Sequence, residues 1–200
     1  MSLIGTIHNR FVFDRRVKVL ARAIASLIPN DASVLDVGCG DGRLASLVAS
    51  ERRDVRVRGI DVLKRPHTEI PVQEFDGVRI PYEDASFDVV LFVDVLHHTE
   101  DPMVLLREAR RVARRAIVLK DHTLTGMLAY RTLRFMDGVG NKRHGVALPY
   151  NYWTPEQWQH AVRELGVSVT AWRKDLGLYP APASWVFERS LHFVALLSIS

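Results

Sequence analysis

The segment at residues 33–42, SVLDVGCGDG, constrains the fold more than any other part of this 200-residue chain. A short run rich in β-branched residues leads into glycines at positions 38, 40 and 42, and a helical pattern follows. Glycine is costly inside regular structure, so three glycines in five residues predict a loop whose backbone is approached closely. A strand, a glycine turn and a helix in this order place a ligand site at the carboxyl end of a parallel sheet.

Strands and helices alternate across the middle of the chain. The most apolar strand, FDVVLFVDV at 87–95, is nearly continuous in apolar residues, as expected for a central strand of a parallel sheet. The alternation predicts βαβ crossovers and an open α/β sheet. The predicted strands are 33–37, 55–61, 70–75, 87–95 and 115–121, and the predicted helices begin at 41–43 and at Asp101-Pro102, the latter running through about Ala113.

The flanking regions complete a single predicted domain over 1–200. We expect an N-terminal helix at about 14–28, a ligand-binding core at about 30–122, a substrate-lid region at about 123–153, and a C-terminal helix and hairpin at about 154–200. The lid region begins with a predicted helix at 123–136 and continues as a loop. The two last strands, 167–173 and 191–199, are joined by the proline-containing stretch 177–184, which favours an antiparallel hairpin at the sheet edge.

Acidic residues around the glycine loop indicate the class of ligand. A dinucleotide fingerprint reads G-x-G-x-x-G and aims a helix N-terminus at a pyrophosphate, whereas this loop reads G-x-G-x-G. Asp36 lies two residues before the first glycine and Asp41 lies between the second and the third. Both carboxylates would repel a pyrophosphate, but they suit a ligand that carries an ammonium and a sulfonium. Asp61 ends the second strand and could accept hydrogen bonds from ribose hydroxyls, which both ligand classes contain. Asp76 could present a carboxylate to an adenine amino group.

Four separated motifs together resemble the class I S-adenosylmethionine (SAM)-dependent methyltransferases. They are VLDVGCGDG, GID, FDG and IPYEDASFDVVLFVDVLHHTEDP, which cover about residues 30–120. The last is similar to the L-P-x-x-D-x-S-F-D pattern of the small-molecule subgroup, with Ile80 in place of the usual Leu. The resemblance implies a Rossmann-like, seven-stranded, mainly parallel sheet with helices on both faces and an antiparallel C-terminal strand. It also implies SAM as cofactor, bound by Asp36, Gly38, Cys39, Gly40, Asp61, Val62, Asp76, Gly77 and Asp94.

Candidate catalytic groups follow the fourth and fifth strands. Methyl transfer is an in-line displacement, so an enzyme contributes positioning and, where needed, a base that deprotonates the nucleophile. His98, Asp121 and His122 are the candidates for that role, and His97 either shares it or only packs. Histidine suits the task because it titrates near neutral pH. No metal is expected, because the spacing of the histidines and Asp121 matches no known ligand pattern.

The predicted loop at 137–153 is the candidate substrate lid, with a structural surface loop as the alternative. Its polar and aromatic side chains could line an acceptor pocket. A nucleic acid acceptor is disfavoured, because no Asn/Asp-Pro-Pro-aromatic motif follows the fourth strand and the single cysteine lies in the glycine loop. The side chains in question are those of Asp137, Asn141, His144, Tyr150, Tyr152 and Trp153.

The predicted function is transfer of a methyl group from SAM to an oxygen, nitrogen or carbon atom of a small or lipid-like acceptor. A non-catalytic SAM-binding regulatory or interaction module is the alternative, and an NAD-dependent oxidoreductase is the less favoured one. The chain shows neither a signal-peptide pattern nor an apolar run long enough to span a membrane, so we expect a cytoplasmic protein. The basic first helix could rest on an anionic membrane or simply be solvated.

Overall fold

A seven-stranded sheet forms the centre of the fold in the computed structural model, which describes residues 15–141, 149–181, 183–188 and 190–199. The strands follow one another along the chain with helices between most of them. The strands are β1 (Ser33–Val37), β2 (Arg56–Asp61), β3 (Val72–Glu74), β4 (Phe87–Val93), β5 (Ala113–His122), β6 (Ser168–Arg173) and β7 (His192–Ser198).

Six helices of the described residues surround this sheet. The first, α1, is helical over the described residues 15–25, and a 3₁₀ turn at Leu96–His98 follows β4. Within the described part of the chain, no helix has both the length and the apolar character that a bilayer span requires. The remaining helices are α2 (Arg43–Glu51), α3 (Pro102–Val112), α4 (Ala129–Asn141), α5 (Pro155–Leu165) and α6 (Ser184–Phe187).

The strand order is β3-β2-β1-β4-β5-β7-β6. The first five strands are parallel, and β7 runs antiparallel between β5 and β6. Both faces of the sheet are covered: α1 and α2 pack on one face around Val34, and α3 and α5 pack on the other around Leu35. The predicted α/β sheet with helices on both faces and an antiparallel C-terminal strand is confirmed.

Local sequence signals explain where two of these helices begin. Asp101 accepts a hydrogen bond from Met103 N, with proline at the first helical position of α3. At α5, Thr154 and Gln157 form a reciprocal capping box, and Gly166 ends the helix in the left-handed conformation. Such caps satisfy backbone groups that have no partner inside the helix. These caps fix where α3 and α5 begin, and both helices pack on the same face of the sheet.

The C-terminal third corrects several predicted boundaries. The helix predicted at 123–136 occupies Ala129–Asn141 instead, so it takes in the start of the predicted lid loop. Tertiary hydrogen bonds explain the late start, because Thr123 N donates to Leu191 O and Leu124 N donates to Trp153 O. In addition, β7 lies inside the sheet and β6 forms the edge, and the short helix α6 lies in the stretch predicted only to join them. The first helix gives way to a turn after residue 25 rather than at 28.

Candidate functional site

The glycine loop lies where the sequence predicts it, between β1 and α2. Gly38, Gly40 and Gly42 all adopt left-handed φ values, of +74°, +61° and +77°. A β-carbon on Gly38 would lie 2.6 Å from a Val95 methyl, whereas one on Gly40 would meet no protein atom within 4 Å. Gly38 therefore allows close packing against the end of β4. Gly40 instead borders open space that a side chain would fill, as expected where a ligand passes over the backbone.

The amides of this loop are already used inside the protein. Gly38 N and Cys39 N both donate to the carbonyl of Ile60, at 2.7 and 3.2 Å. Gly40 N donates to Asp61 Oδ2 at 2.7 Å. A dinucleotide site needs such amides to hold a pyrophosphate. Here these three donors are satisfied by a carbonyl and a carboxylate, so the geometry disfavours an anionic ligand group at the loop.

Asp36 is the most unusual group beside the loop. Its side chain is 2% exposed, and Oδ1 has no hydrogen-bond partner within the described residues. Burial, together with the nearby charge of Asp61, raises the pKa of Asp36 to about 8. A buried carboxylate oxygen without a partner is costly, so native proteins rarely keep one without a reason. An ammonium group on a ligand would supply the missing hydrogen bond and favour the ionised form.

Asp36 opens into a crevice of about 170 Å³ at the carboxyl ends of β1 and β4. Helix α1 closes one side of it, and its Arg16 reaches Asp94 Oδ2 at 3.0 Å. The crevice therefore holds the carboxyl group of Asp36, which a bound ammonium would ionise, and the guanidinium of Arg16. These two groups match the two charged ends of an amino acid. Arg16 was not predicted as a site residue, because it is one of four basic residues on the polar face of the predicted helix. The lining residues are Arg16, Val17, Leu20, Asp36, Gly38, Cys39, Leu44, Val93 and Asp94.

The predicted adenosine contacts lie along the ends of β2 and β3. Asp61 accepts backbone hydrogen bonds on both oxygens, from Gly40 N and from Leu63 N at 2.9 Å, which leaves further lone pairs for hydroxyl donors. Val62 is exposed, and Gly77 packs so closely beside it that a β-carbon there would lie 3.0 Å from a Val62 methyl. These residues form an apolar ledge next to Asp61, which fits a flat ring joined to a ribose.

Two other predicted cofactor residues have structural partners. Asp76 Oδ1 accepts hydrogen bonds from Val78 N and Arg79 N at 2.8 and 2.7 Å, and these bonds lower the pKa of Asp76. Cys39 Sγ packs against Gly59, where a β-carbon would come within 2.3 Å of the sulfur. Burial and neighbouring carboxylates raise the pKa of Cys39, so its thiol stays protonated. Cys39 therefore lines the crevice as an unreactive thiol.

A buried ionic cluster lies beyond the crevice, at the carboxyl ends of β4 and β5. Asp94 has a left-handed φ of +57° and hydrogen-bonds Lys120 Nζ. Lys120 is completely buried, and it follows directly on the apolar residues 116–119 of strand β5. Burial alone would raise the pKa of Asp94, but Lys120 and Arg16 hold it below its ordinary value. Asp94 is therefore a fixed anion between two cations.

His97 lies between two carboxylates in the same cluster. Its Nδ1 is 2.6 Å from Asp121 Oδ1, and its Nε2 is 3.3 Å from Asp137 Oδ2. Burial opposes protonation, but the two carboxylates outweigh it and raise the pKa of His97 to about 10. The Tyr152 hydroxyl donates to Asp137. The cluster is balanced, with three anions (Asp94, Asp121, Asp137) facing three cations (Arg16, Lys120, and protonated His97).

The other three histidines of the cluster are neutral imidazoles. Burial and the charge of His97 lower the pKa of His98 to about 4. Burial, with Lys120 second, lowers the pKa of His122 and of His192 well below the ordinary value. His192 Nε2 donates to the Phe187 carbonyl at 3.0 Å, which leaves Nδ1 facing Lys120 Nζ at 3.4 Å. Of these three imidazoles, only that of His98 is not fully buried.

The three predicted catalytic residues thus occupy different environments. Asp121 accepts from Leu96 N at 3.1 Å and from His122 N at 2.7 Å besides pairing with His97, so both of its oxygens have partners. His122 is buried beneath the cluster, where its carbonyl accepts from Trp158 Nε1 at 3.1 Å. His98 stands nearest to solvent. Of the three residues, only His98 is partly exposed.

The predicted substrate lid is partly an interior element. Tyr152 and Trp153 are only 5% and 8% exposed, because Tyr152 reaches Asp137 and Trp153 packs edge-on against Trp158 with ring centres 4.9 Å apart. These two aromatic residues hold the segment onto the sheet instead of covering a pocket from outside. His144 lies outside the described residues, as does the side chain of Asn141.

Four donors in the cluster come close enough to suggest a metal ion. The ligand atoms of Asp94, His97, Asp121 and His122 all lie within 4.8 Å of one another. Lys120, however, already contacts Asp94, and His97 is paired with Asp121 as a cation. A divalent ion would have to displace these cations from a site that is already neutral. The expectation that the protein uses no metal stays a prediction.

A family model described as a methyltransferase domain matches residues 35–116, from the first strand through the glycine loop to β5. This match supports a class I SAM-dependent methyltransferase. SAM is the cofactor of this family, and the buried unpaired carboxylate of Asp36 and the open space over Gly40 fit it.

Curated relatives support the same family. The chain is 33% identical over 110 residues to the 27-O-demethylrifamycin SV methyltransferase of Amycolatopsis mediterranei, a match covering 48% of this chain and 40% of that protein. It is 36% identical over 93 residues to the ubiquinone biosynthesis O-methyltransferase of Hahella chejuensis, covering 40% of this chain and 38% of that one. The matched segments therefore span less than half of either relative.

Solved structures share the fold over most of the chain. A putative methyltransferase solved with the Haloferax volcanii Trm112 methyltransferase activator superposes with a TM-score of 0.68, covering 96% of this chain and 93% of that one, at 15% identity. A SAM-dependent methyltransferase from Mesorhizobium loti gives a TM-score of 0.65 at 17% identity, covering 89% and 96%. At such low identities, these likenesses establish the fold and not the substrate.

Proposed function

We propose that this protein transfers a methyl group from SAM to an oxygen, nitrogen or carbon atom of a small or lipid-like acceptor. The observation that carries the proposal is the crevice in which buried Asp36 leaves Oδ1 without a partner beside the open face of Gly40. The names of the relatives, which include O-methyltransferases and an ajmaline N-methyltransferase, support a small-molecule acceptor.

The residues of the crevice have distinct roles in this proposal. When bound, SAM supplies a methyl group already activated by a sulfonium. Asp36 holds the ammonium end of its methionine part, and Arg16 meets the carboxylate. Asp61 accepts hydrogen bonds from the ribose hydroxyls, while Val62 and Gly77 provide the apolar ledge for adenine. Each role follows from the charge and position of these side chains.

His98 is the proposed base when the acceptor carries an ionisable proton. It is neutral at physiological pH because burial and protonated His97 lower its pKa to about 4. Its ring lies 4.1 Å from that of His97, which Asp121 and Asp137 hold from both sides. A weak base of this kind suits a nucleophile that needs only partial proton removal as the new bond forms.

Two alternatives predict different behaviour. A non-catalytic SAM-binding module would bind the cofactor but transfer no methyl group. An NAD-dependent oxidoreductase would bind a nicotinamide dinucleotide, which the occupied loop amides and the Asp36 carboxylate disfavour. Binding and transfer must therefore be measured separately.

Calorimetric titration with S-adenosylhomocysteine tests the cofactor site. The Gly40→Arg variant should lose binding, because its side chain would occupy the space above the loop. Gly166→Arg is the matched control, since Gly166 also has a left-handed φ with open space around it but ends α5 away from the crevice. Equal binding by wild type and Gly40→Arg, or tighter binding of NAD, would contradict the proposal.

Methyl transfer is then tested with labelled SAM and fractionated bacterial extracts. Label should enter a small-molecule or lipid fraction with wild type and not with Gly40→Arg. Binding of S-adenosylhomocysteine without label transfer to any fraction would favour the non-catalytic module.

A further inference from the structure

Helix α4, the two residues before it and helix α6 together present an exposed apolar surface, which we call the docking face. Met127 is 99% exposed, Trp185 75% and Phe135 62%. Exposed apolar groups scattered singly are ordinary, but a contiguous set marks an interaction surface. The docking face consists of Met127, Leu128, Phe135, Trp185 and Val186.

The helical register separates the two faces of α4. Ala129, Leu133 and Asp137 are buried against the rest of the protein. Phe135 lies on the opposite side of the helix, on the same face as Leu128. The Phe135 ring stacks on Phe187 of α6 with centres 6.5 Å apart and planes 9° apart. This contact joins the two helices into one continuous surface.

The exposed charges of α4 are both positive. Arg131 and Arg134 are exposed on α4. The only acid in the sequence of α4 is Asp137, which is buried and bonded to Tyr152. Glu188, just after α6, accepts a hydrogen bond from Leu178 N at 2.5 Å. Aromatic and aliphatic groups combined with arginines are typical of helices that lie in the headgroup layer of a bilayer.

We propose that the docking face binds the surface of an anionic phospholipid bilayer. A second copy of the chain is the other possible occupant, but both faces of such a contact would carry the positive charges of Arg131 and Arg134. An anionic lipid surface complements those charges instead. This inference goes beyond the proposed function and does not depend on methyl transfer.

The docking face also adjoins the buried cluster. Helix α4 carries Asp137 to His97, and the carbonyl of Phe187 in α6 accepts from His192. Both helices thus contact the ionic cluster from one side and solvent from the other. A bilayer bound there would lie next to the end of the sheet at which the proposed acceptor reacts.

Sedimentation with lipid vesicles tests the proposal. The protein should partition onto vesicles made of phosphatidylcholine and phosphatidylglycerol in equal parts, and much less onto phosphatidylcholine alone. The double variant Phe135→Ser, Trp185→Ser should lose most of the binding. Val169→Ser is the matched control, because Val169 is 47% exposed on edge strand β6, outside the docking face. Arg131→Gln and Arg134→Gln should each weaken binding about fivefold, the effect of one basic residue near an anionic surface.

Fluorescence reports which surface is in contact with lipid. Trp185 is the only tryptophan among the described residues that is exposed, so insertion should shift its emission to shorter wavelength, and brominated lipids should quench it. Absence of binding to anionic vesicles by wild-type protein that still binds S-adenosylhomocysteine would overturn the proposal. The proposal would also be overturned if the Phe135/Trp185 double variant bound anionic vesicles as tightly as wild type. The same holds if wild type were a dimer and this variant a monomer.

Discussion

Replacing Asp36 by Asn should stabilise the ligand-free protein while weakening the cofactor site. The pKa of Asp36 is about 8 in the folded protein, against about 3.9 in an unfolded chain. The folded state therefore binds the proton more tightly, and stability falls as pH rises from about 4 to about 8. At pH 7 about three pH units separate the unfolded pKa from the solution, which corresponds to about 4 kcal/mol.

The asparagine variant avoids this cost but buries an amide in its place. An imperfectly satisfied buried amide costs roughly 1–3 kcal/mol, so the net gain at pH 7 should be about 2 kcal/mol. For a chain of this length, that gain raises the melting temperature by about 4–8 °C. Urea unfolding of wild type and Asp36→Asn from pH 4 to pH 9 measures the effect directly. Asp36→Asn should be about 2 kcal/mol less stable than wild type near pH 4 because of the buried amide, overtake it near about pH 5.5, gain further up to about pH 8 and run parallel above that.

Ligand binding gives a second readout of the same carboxyl group. An ammonium placed beside Asp36 favours its ionised form, so binding of S-adenosylhomocysteine at pH 7 should release about one proton. Titrations in buffers of different ionisation enthalpy count that proton, and Asp36→Asn should bind at least tenfold more weakly without releasing it. A variant no more stable than wild type at pH 7, or a stability gain that persists at pH 4, would refute the reasoning.

Two further predictions concern the loop and the buried cluster. Gly38→Ala should lower the free energy of unfolding by about 1–3 kcal/mol, because it adds left-handed strain and places a β-carbon 2.6 Å from Val95. Thermal unfolding should show a smaller loss of stability for Gly40→Ala, whose β-carbon meets no protein atom within 4 Å. Equal losses in the two variants would contradict the contact argument. His97→Asn should cost about 3–5 kcal/mol, because it leaves two carboxylates buried without their cation, whereas exposed His160→Asn should change little. Since the pKa of His97 is raised to about 10, its contribution is complete below about pH 6.5 and is lost as pH rises through 10, so denaturant titrations in which the wild-type advantage survives above pH 10 would exclude a charged His97.

The sequence predicts the first five strands well because their signals are local. The apolar runs, the glycine loop and the acid at the end of β2 all lie within short segments, and parallel topology brings them to one edge. Asp36, Gly38, Gly40 and Asp94 were accordingly predicted near one another, and the crevice contains all but Gly40, which borders it.

The ionic cluster could not be predicted in the same way. Its members come from α1, the ends of β4 and β5, α4 and β7, and their pairing depends on distances that no local pattern encodes. Lys120 gives the clearest missed signal, since a lysine inside the apolar run AIVLKD needs a buried partner. Asp137 and Tyr152 were grouped in one predicted loop, but their roles as an interior pair appear only once α4 and the segment before α5 meet.

The position of β7 has a consequence for how the molecule is made. Because β7 lies between β5 and β6 in the sheet, β6 has no strand to pair with until residues 192–198 leave the ribosome. Until then the edge of β5 that pairs with β7 is exposed, and unpaired strand edges are prone to aggregation. The imidazole that faces Lys120 also arrives with that last strand. Residues 192–198 therefore complete both the sheet and the set of groups around Lys120 only after β1 to β6 have been synthesised.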